Sequence, residues 1–166
     1  VDGHRVWCRV DRATGPEVGP PLLVCHGFPT CSYDLVRVLG RLAAGRDVVS
    51  FDDPGFGLSD KPDLRYGIRR YADAADAVVA HLGLGEVDLL THDLGDSVGG
   101  ELLARTLEGA SPLRVRRRVV TNGSIYLDLA QLTLGQQLLL GLPDAREPQV
   151  GADGGAGFRS GVVGTF

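Results

Sequence analysis

Residues 89–103, LLTHDLGDSVGGELL, hold two overlapping patterns in which one residue could act as a nucleophile on a sharp turn. The first pattern centres on Asp93, and the second is a literal G-x-S-x-G that centres on Ser97. Small flanking residues suit such a turn, because the backbone is strained there and a strand and a helix approach each other closely. The choice between a carboxylate and a hydroxyl nucleophile decides which covalent intermediate can form.

The apolar run VDLLTH favours Asp93 over Ser97, because it is predicted to be a buried strand that ends just before Asp93. His92 closes this strand, and Gly95 allows the next helix to pack closely. For Ser97 to attack, the strand would have to continue through a polar, glycine-broken stretch, so we expect Ser97 in the first turn of the helix. Two alternatives stay open: a serine esterase that uses Ser97, and an Asp93 that serves only as a helix N-cap.

A second motif, HGFPTCSYD, follows another short apolar run. His26 and Gly27 turn the chain there and leave the backbone N–H of Phe28 free to point into a site. Together with the backbone N–H of Leu94, it would form a two-donor oxyanion hole beside Asp93. The alternative for HGFPTCSYD is an ordinary turn between a strand and a helix.

Strands and helices alternate around these motifs. Short buried strands are predicted at LLVCH, DVVSF, VDLLTH and RRVVTN, an alternating strand at HRVWCRV, and helices at about 33–43, at about 71–82 and from 98 onward. This order is typical of an α/β fold, a mainly parallel sheet with helices on both faces. Right-handed crossovers bring the carboxyl ends of the parallel strands to one edge, so the motifs share a rim. The loop FDDPGFGLSDKP lies at that rim, with its acids predicted to be hydrogen-bonding braces and not catalysts.

Composition excludes several classes of protein. The chain has 166 residues with 43% hydrophobic and 23% charged, which suits one ordinary domain. Its net charge of −4 argues against a nucleic-acid binder. No apolar run reaches membrane length, and three cysteines without a C-x-x-C pair favour a reducing, cytoplasmic context with no metal or cofactor. The expected partner is a small-molecule substrate, with the oligomeric state unknown.

The motifs in this order resemble the α/β-hydrolase superfamily, in particular its epoxide hydrolase and haloalkane dehalogenase branch. The finer details HGFPTCSYD, GFGLSDKP, HDLGDSVGGELLAR and TNGSIY look most similar to the mesoderm-specific transcript group and its bacterial relatives. The resemblance implies that Asp93 is the nucleophile and that the N–H groups of Phe28 and Leu94 form the oxyanion hole. It also implies attack on a saturated carbon, an alkyl ester, and hydrolysis by water that a histidine activates.

Two departures from the family qualify this expectation. Dehalogenases usually hold the halide with Asn and Trp side chains, where this chain has Phe28 and Leu94, so an epoxide-hydrolase-like activity is the better prediction. The family's late catalytic histidine and its acid have no counterpart here. We therefore expect the N-terminal portion of such a hydrolase, truncated after the start of the cap and itself inactive, with a non-catalytic hydrolase-like domain as an alternative. The expected parts are core at 1–122, cap start at 123–142, and a Gly-rich irregular tail at 143–166.

Overall fold

The computed structural model describes residues 1–123, 131, 133–135 and 137. The chain divides into two units, Val1–Ile125 and Tyr126–Phe166, and the first unit holds all the elements given below. Most of the expected cap start and the whole expected tail lie outside the described residues, so the expected domain boundaries stay predictions.

The first unit alternates between strands and helices. The strands are β1 (Cys8–Asp11), β2 (Leu22–Cys25), β3 (Val48–Phe51), β4 (Glu86–His92) and β5 (Arg114–Thr121). The helices are α1 (Val36–Leu42), which follows a short 3₁₀ turn at Ser32–Leu35, α2 (Ile68–His81) and α3 (Leu94–Leu107). Most elements fall within a few residues of their predicted positions. The first strand is the main difference, because it begins at Cys8 rather than at the start of HRVWCRV.

The five strands form one sheet in the order β1-β3-β2-β4-β5. Strand β1 runs antiparallel to β3, and the other neighbouring pairs are parallel. Every parallel strand therefore ends at the same edge, as the alternation of strands and helices predicts. This edge carries the residues that follow β2, β3, β4 and β5.

Helices cover both faces of the sheet, which confirms the predicted α/β architecture. Successive side chains of a strand point to opposite faces. Leu23 of β2 therefore packs in the cluster formed with α2 and α3, while Val24 packs in the cluster formed with Leu39 of α1. Both β2 and β3 are buried along their whole length, as expected of strands between two layers of helices.

Arg105, in the last turn of α3, joins this helix to α2. Its guanidinium contacts Asp73 and Asp76 of α2 at 2.8 Å each, and Glu101 one turn earlier on α3 at 3.0 Å. The Arg105 side chain is largely buried, which makes these contacts stronger than exposed ion pairs. Without the arginine, three carboxylates would face one another across the helix pair.

We expect Arg105→Gln to lower the free energy of unfolding by about 2 kcal/mol, because hydrogen bonds to charged groups contribute about that much. Urea denaturation of the chain measures this change. Arg37→Gln, at an exposed position of α1, is the matched control and should change stability little. Equal effects of the two substitutions would show that Arg105 does not stabilise the helix pair.

Candidate active site

Asp93 is the single residue between the end of β4 and the start of α3. Its backbone has φ 52° and ψ −117°, a positive φ that is rare for residues other than glycine. Such a conformation costs about 1–3 kcal/mol and persists only where surrounding contacts enforce it. The structure therefore has the sharp strand-to-helix turn that the sequence predicts at Asp93.

Two glycines make the close approach at this turn possible. A Cβ atom on Gly95 would come within 2.7 Å of the His26 carbonyl oxygen, and one on Gly27 within 2.8 Å of the Asp93 Cβ. Both contacts are too short for any larger residue. The loop after β2 and the first turn of α3 are thus packed backbone against backbone.

The carboxylate of Asp93 receives two backbone hydrogen bonds on one oxygen. The Phe28 N–H donates to Oδ1 at 2.8 Å, and the Leu94 N–H donates to the same oxygen at 2.6 Å. These are the two donors that the sequence assigns to an oxyanion hole. No hydrogen bond joins the second oxygen, Oδ2, to any described residue. The two oxygens of one carboxylate are therefore in different environments.

Ser97 lies apart from this arrangement. It is an exposed residue in the first turn of α3, four positions beyond the strand–helix junction. The strand does not extend through the intervening residues, because β4 ends at His92. The G-x-S-x-G match therefore has no turn at its serine, and the geometry offers no support for Ser97 as a nucleophile.

His26 is a buried histidine whose tautomer follows from its two partners. The Asp53 N–H donates to Nε2 at 3.0 Å, so Nε2 must carry a lone pair. Nδ1 then carries the proton and donates to the Gly27 carbonyl oxygen at 2.9 Å. Burial lowers the pKa of His26, which agrees with a neutral ring. Both nitrogens are committed to holding the loops together, in line with the supporting role predicted for this residue.

His92 contacts the site from the end of β4. Thr121 Oγ1 donates to the Thr91 carbonyl oxygen at 2.8 Å, so it accepts from His92 Nδ1 at 3.1 Å. The His92 ring edge also lies against Gly27. The other two histidines, His4 and His81, lie at the start of the chain and at the end of α2. Neither follows the carboxyl end of a parallel strand.

Asp52 braces the loops around the site, as the sequence predicts for the acids of this segment. Its Oδ1 accepts from the backbone N–H of Ser32 at 2.9 Å and from the Ser32 hydroxyl at 2.6 Å. Its Oδ2 accepts from the Leu58 N–H at 2.8 Å. These bonds tie the loop after β2 to the loop after β3.

Asp53 contradicts the same prediction. Its side chain is fully buried, and neither carboxyl oxygen has a hydrogen-bond partner in the part of the chain that the structure describes. Burial, with a smaller contribution from the Asp52 charge, raises the pKa of Asp53 to about 7. A brace needs donors, and neither oxygen of Asp53 accepts a hydrogen bond from a described residue.

Asp96 is a further buried acid that the sequence analysis did not single out. Its carboxylate accepts from the hydroxyl of Thr91, and Arg118 of β5 donates to its carbonyl oxygen. Arg118 Nη2 also lies 3.8 Å from Asp96 Oδ1. These contacts link β4, α3 and β5 just behind Asp93. The available signals were an acid three residues after Asp93 and the run of arginines at 114–118 that leads into β5.

Aromatic side chains form one wall of the site. Phe56 makes edge contacts with the rings of His26 and Phe28, at centroid distances of 5.4 and 6.0 Å. Phe28 itself is 45% exposed, which is high for a side chain of this size. The side chains of Phe28 and Leu94 offer no hydrogen-bond donor beside Asp93. Among the described residues, the hydrogen bonds to the Asp93 carboxylate come from the backbone alone.

Comparison with known proteins identifies the family. A model described as alpha/beta hydrolase fold matches residues 20–155. The putative hydrolase LipZ of Mycobacterium tuberculosis H37Rv is 44% identical over 127 residues, covering 76% of this chain and 44% of LipZ. The human mesoderm-specific transcript homolog protein is 39% identical over 129 residues, covering 74% and 38%. The solved epoxide hydrolase CorEH matches with a TM-score of 0.65 and 25% identity, covering 84% and 47%. Haloalkane dehalogenases are also similar.

The chain therefore belongs to the α/β-hydrolase fold family. This confirms the resemblance drawn from the motifs, including its epoxide hydrolase and dehalogenase branch. The chain spans less than half the length of these relatives. Among the described residues, no helix is both long and apolar enough to cross a bilayer.

The buried carboxyl of Asp53 gives the fold a pH dependence of known sign. The folded-state pKa is about 7 and the ordinary value is 3.8, so between these values the folded chain binds a proton that the unfolded chain has released. Its contribution to stability therefore falls as pH rises from about 4 to about 7, and it levels off above. At about 1.4 kcal/mol per pKa unit, the total is roughly 4 kcal/mol.

We expect Asp53→Asn to remove this fall, because the amide has the same size and no charge to bury. The difference in unfolding free energy between variant and parent should grow from pH 4 to pH 8. Urea denaturation across that range measures it, with the exposed Asp63→Asn as the control. A difference that stays constant with pH would mean that Asp53 ionises normally.

Proposed function

We propose that this chain carries the nucleophilic centre of an epoxide-hydrolase-like enzyme, with Asp93 as the nucleophile. One observation carries the proposal: both backbone donors bind Oδ1 of Asp93 and leave Oδ2 without a hydrogen bond to a described residue. Oδ2 is then the oxygen that attacks a saturated carbon. Two donors on Oδ1 hold the carboxylate in one orientation during that attack.

The first step forms a bond between Oδ2 and a ring carbon of the epoxide. The carbon–oxygen bond of the ring breaks, and its oxygen leaves as an alkoxide that takes up a proton. The product is an alkyl ester of Asp93 in which Oδ1 is the carbonyl oxygen. Because Oδ1 already lies between the two N–H groups, the ester forms with its carbonyl inside the oxyanion hole.

The second step is addition of water to Cγ of the ester. Negative charge then develops on Oδ1, where the N–H groups of Phe28 and Leu94 lie 2.8 and 2.6 Å away. Donors held at this distance before the reaction stabilise the tetrahedral intermediate without reorganisation. The bond between Cγ and Oδ2 then breaks, which releases the diol and restores the carboxylate.

A general base must remove a proton from that water, and the resemblance gives this role to a late histidine that has no counterpart in this sequence. Both ring nitrogens of His26 are engaged with the backbone. We therefore propose that this chain stops at the ester. In the longer relatives, the remaining half of the protein would supply the base.

Epoxides suit the site better than alkyl halides do. In the dehalogenases that the sequence resembles, Asn and Trp side chains hold the leaving halide, and the side chains of Phe28 and Leu94 at these positions offer no donor. The exposed ring of Phe28 and the adjoining Phe56 favour an apolar or aromatic substituent on the epoxide.

The chain's three thiols support a reducing compartment such as the cytoplasm. Cys8, Cys25 and Cys31 are all free, and burial raises the pKa of Cys25 far above its usual value. Free thiols are typical of compartments in which glutathione and thioredoxin maintain the reduced state.

Incubation of the chain with an aryl epoxide such as styrene oxide tests the proposal. We expect one adduct per chain, located on Asp93 by peptide mass mapping, with no steady release of diol. Asp93→Asn should abolish this adduct, and Ser97→Ala should leave it unchanged. Mapping separates it from any adduct on the half-buried thiols of Cys8 and Cys31.

Two results would contradict the proposal. An unmodified Asp93 in a folded chain would exclude the carboxylate as nucleophile. Continuous diol release would show that the chain contains a working general base.

A further inference from the structure

Asp53 is a buried acid that the proposed reaction does not use, and it is connected to the oxyanion hole through one side chain. Its backbone N–H donates to His26 Nε2, and its carboxyl Oδ2 lies 3.7 Å from the same nitrogen. Both residues are almost completely buried. The carboxyl and the imidazole therefore face each other in the interior of the protein.

His26 in turn fixes one peptide unit of the site. Its Nδ1–H binds the carbonyl oxygen of Gly27, and that carbonyl shares a planar peptide with the N–H of Phe28. In a trans peptide the C=O and N–H bonds point in opposite directions, so an orientation imposed on one end is imposed on the other. His26 therefore holds the carbonyl end of this peptide, and the N–H end donates to Asp93 Oδ1.

We propose that Asp53 is a positioning residue for the Gly27–Phe28 peptide, acting through His26, and that release of its carboxyl proton loosens the Phe28 N–H from Asp93. The protonated carboxyl is neutral and leaves Nε2 free to accept from the Asp53 N–H. The whole chain of hydrogen bonds is then satisfied from Asp53 to Asp93.

Ionisation of Asp53 disturbs this series of hydrogen bonds at Nε2 of His26. A negative oxygen 3.7 Å from the nitrogen lone pair repels it in a region of low dielectric constant. The repulsion is relieved if the ring moves away or if Nε2 takes up a proton, and a protonated Nε2 can no longer accept from the Asp53 N–H. In both cases the ring loses its hydrogen bond from the Asp53 N–H and turns, which displaces Nδ1 from the Gly27 carbonyl oxygen.

Several other titratable groups interact with Asp53 or His26. The groups that act on Asp53 or His26 come from β2, the 3₁₀ turn, the loop after β3, and α2: Cys25, Asp34, Asp52 and Tyr71. None of these is a cation that would neutralise an ionised Asp53. His92 contacts Gly27 directly, so its titration must be separated from that of Asp53.

Amide NMR of the uniformly ¹⁵N-labelled chain from pH 5 to pH 9 tests the proposal. We expect the Phe28 amide proton to lose its downfield shift with a midpoint near pH 7, while the Leu94 amide changes little. Leu94 is the internal control, because its N–H binds the same oxygen without contact to His26. Asp53→Asn should remove the Phe28 transition, and His92→Gln should retain it.

Other outcomes overturn the proposal. A Phe28 transition that persists in Asp53→Asn, or none in the parent chain, would show that Asp53 does not position this peptide. Asp53→Leu provides the same comparison if the Asn variant does not fold. The role rests on the proposed function, but the titration does not require reactivity. An Asp93 that fails to react with epoxide while Phe28 titrates as expected would refute the function alone.

Discussion

The convergence of two backbone N–H groups on one oxygen of Asp93 is the interaction on which the rest of the site depends. The positive φ of Asp93 costs about 1–3 kcal/mol. Two hydrogen bonds to a carboxylate contribute about 1.5–3 kcal/mol each, enough to offset that strain. The same two bonds make the oxygens of the carboxylate inequivalent. A conformation that would be unfavourable alone is thus stabilised by the same contacts that distinguish the two oxygens.

The loops that carry these donors are held by buried polar groups rather than by apolar packing alone. Asp52 is fully bonded and ties two loops together, whereas the neighbouring Asp53 has no partner for either oxygen. Hydrogen bonds offset the cost of burying Asp52, and loss of the charge offsets the cost of burying Asp53. His26 depends on the second acid, since its Nε2 accepts from the Asp53 backbone. Rigidity and sensitivity to pH therefore arise from adjacent residues.

Sequence patterns predicted the sheet, the sharp turn at Asp93 and the two backbone N–H groups beside it, because these depend on local features: apolar runs, strand ends and glycines. They did not predict the state of Asp53, since the residues around a buried acid come from distant segments of the sequence, here His26 after β2 and Tyr71 of α2. The contact between Asp96 and Arg118 was missed for the same reason, as 22 residues separate the two along the chain. The start of β1 was also missed, because alternation continues beyond the residues that pair with β3.

A crystal structure of the chain after reaction with an epoxide tests the central claim most directly. The account predicts an alkyl carbon bonded to Oδ2 of Asp93, with Oδ1 still within hydrogen-bond distance of the Phe28 and Leu94 nitrogens. An alkyl group on Oδ1, or an ester whose carbonyl has turned away from both nitrogens, would contradict it.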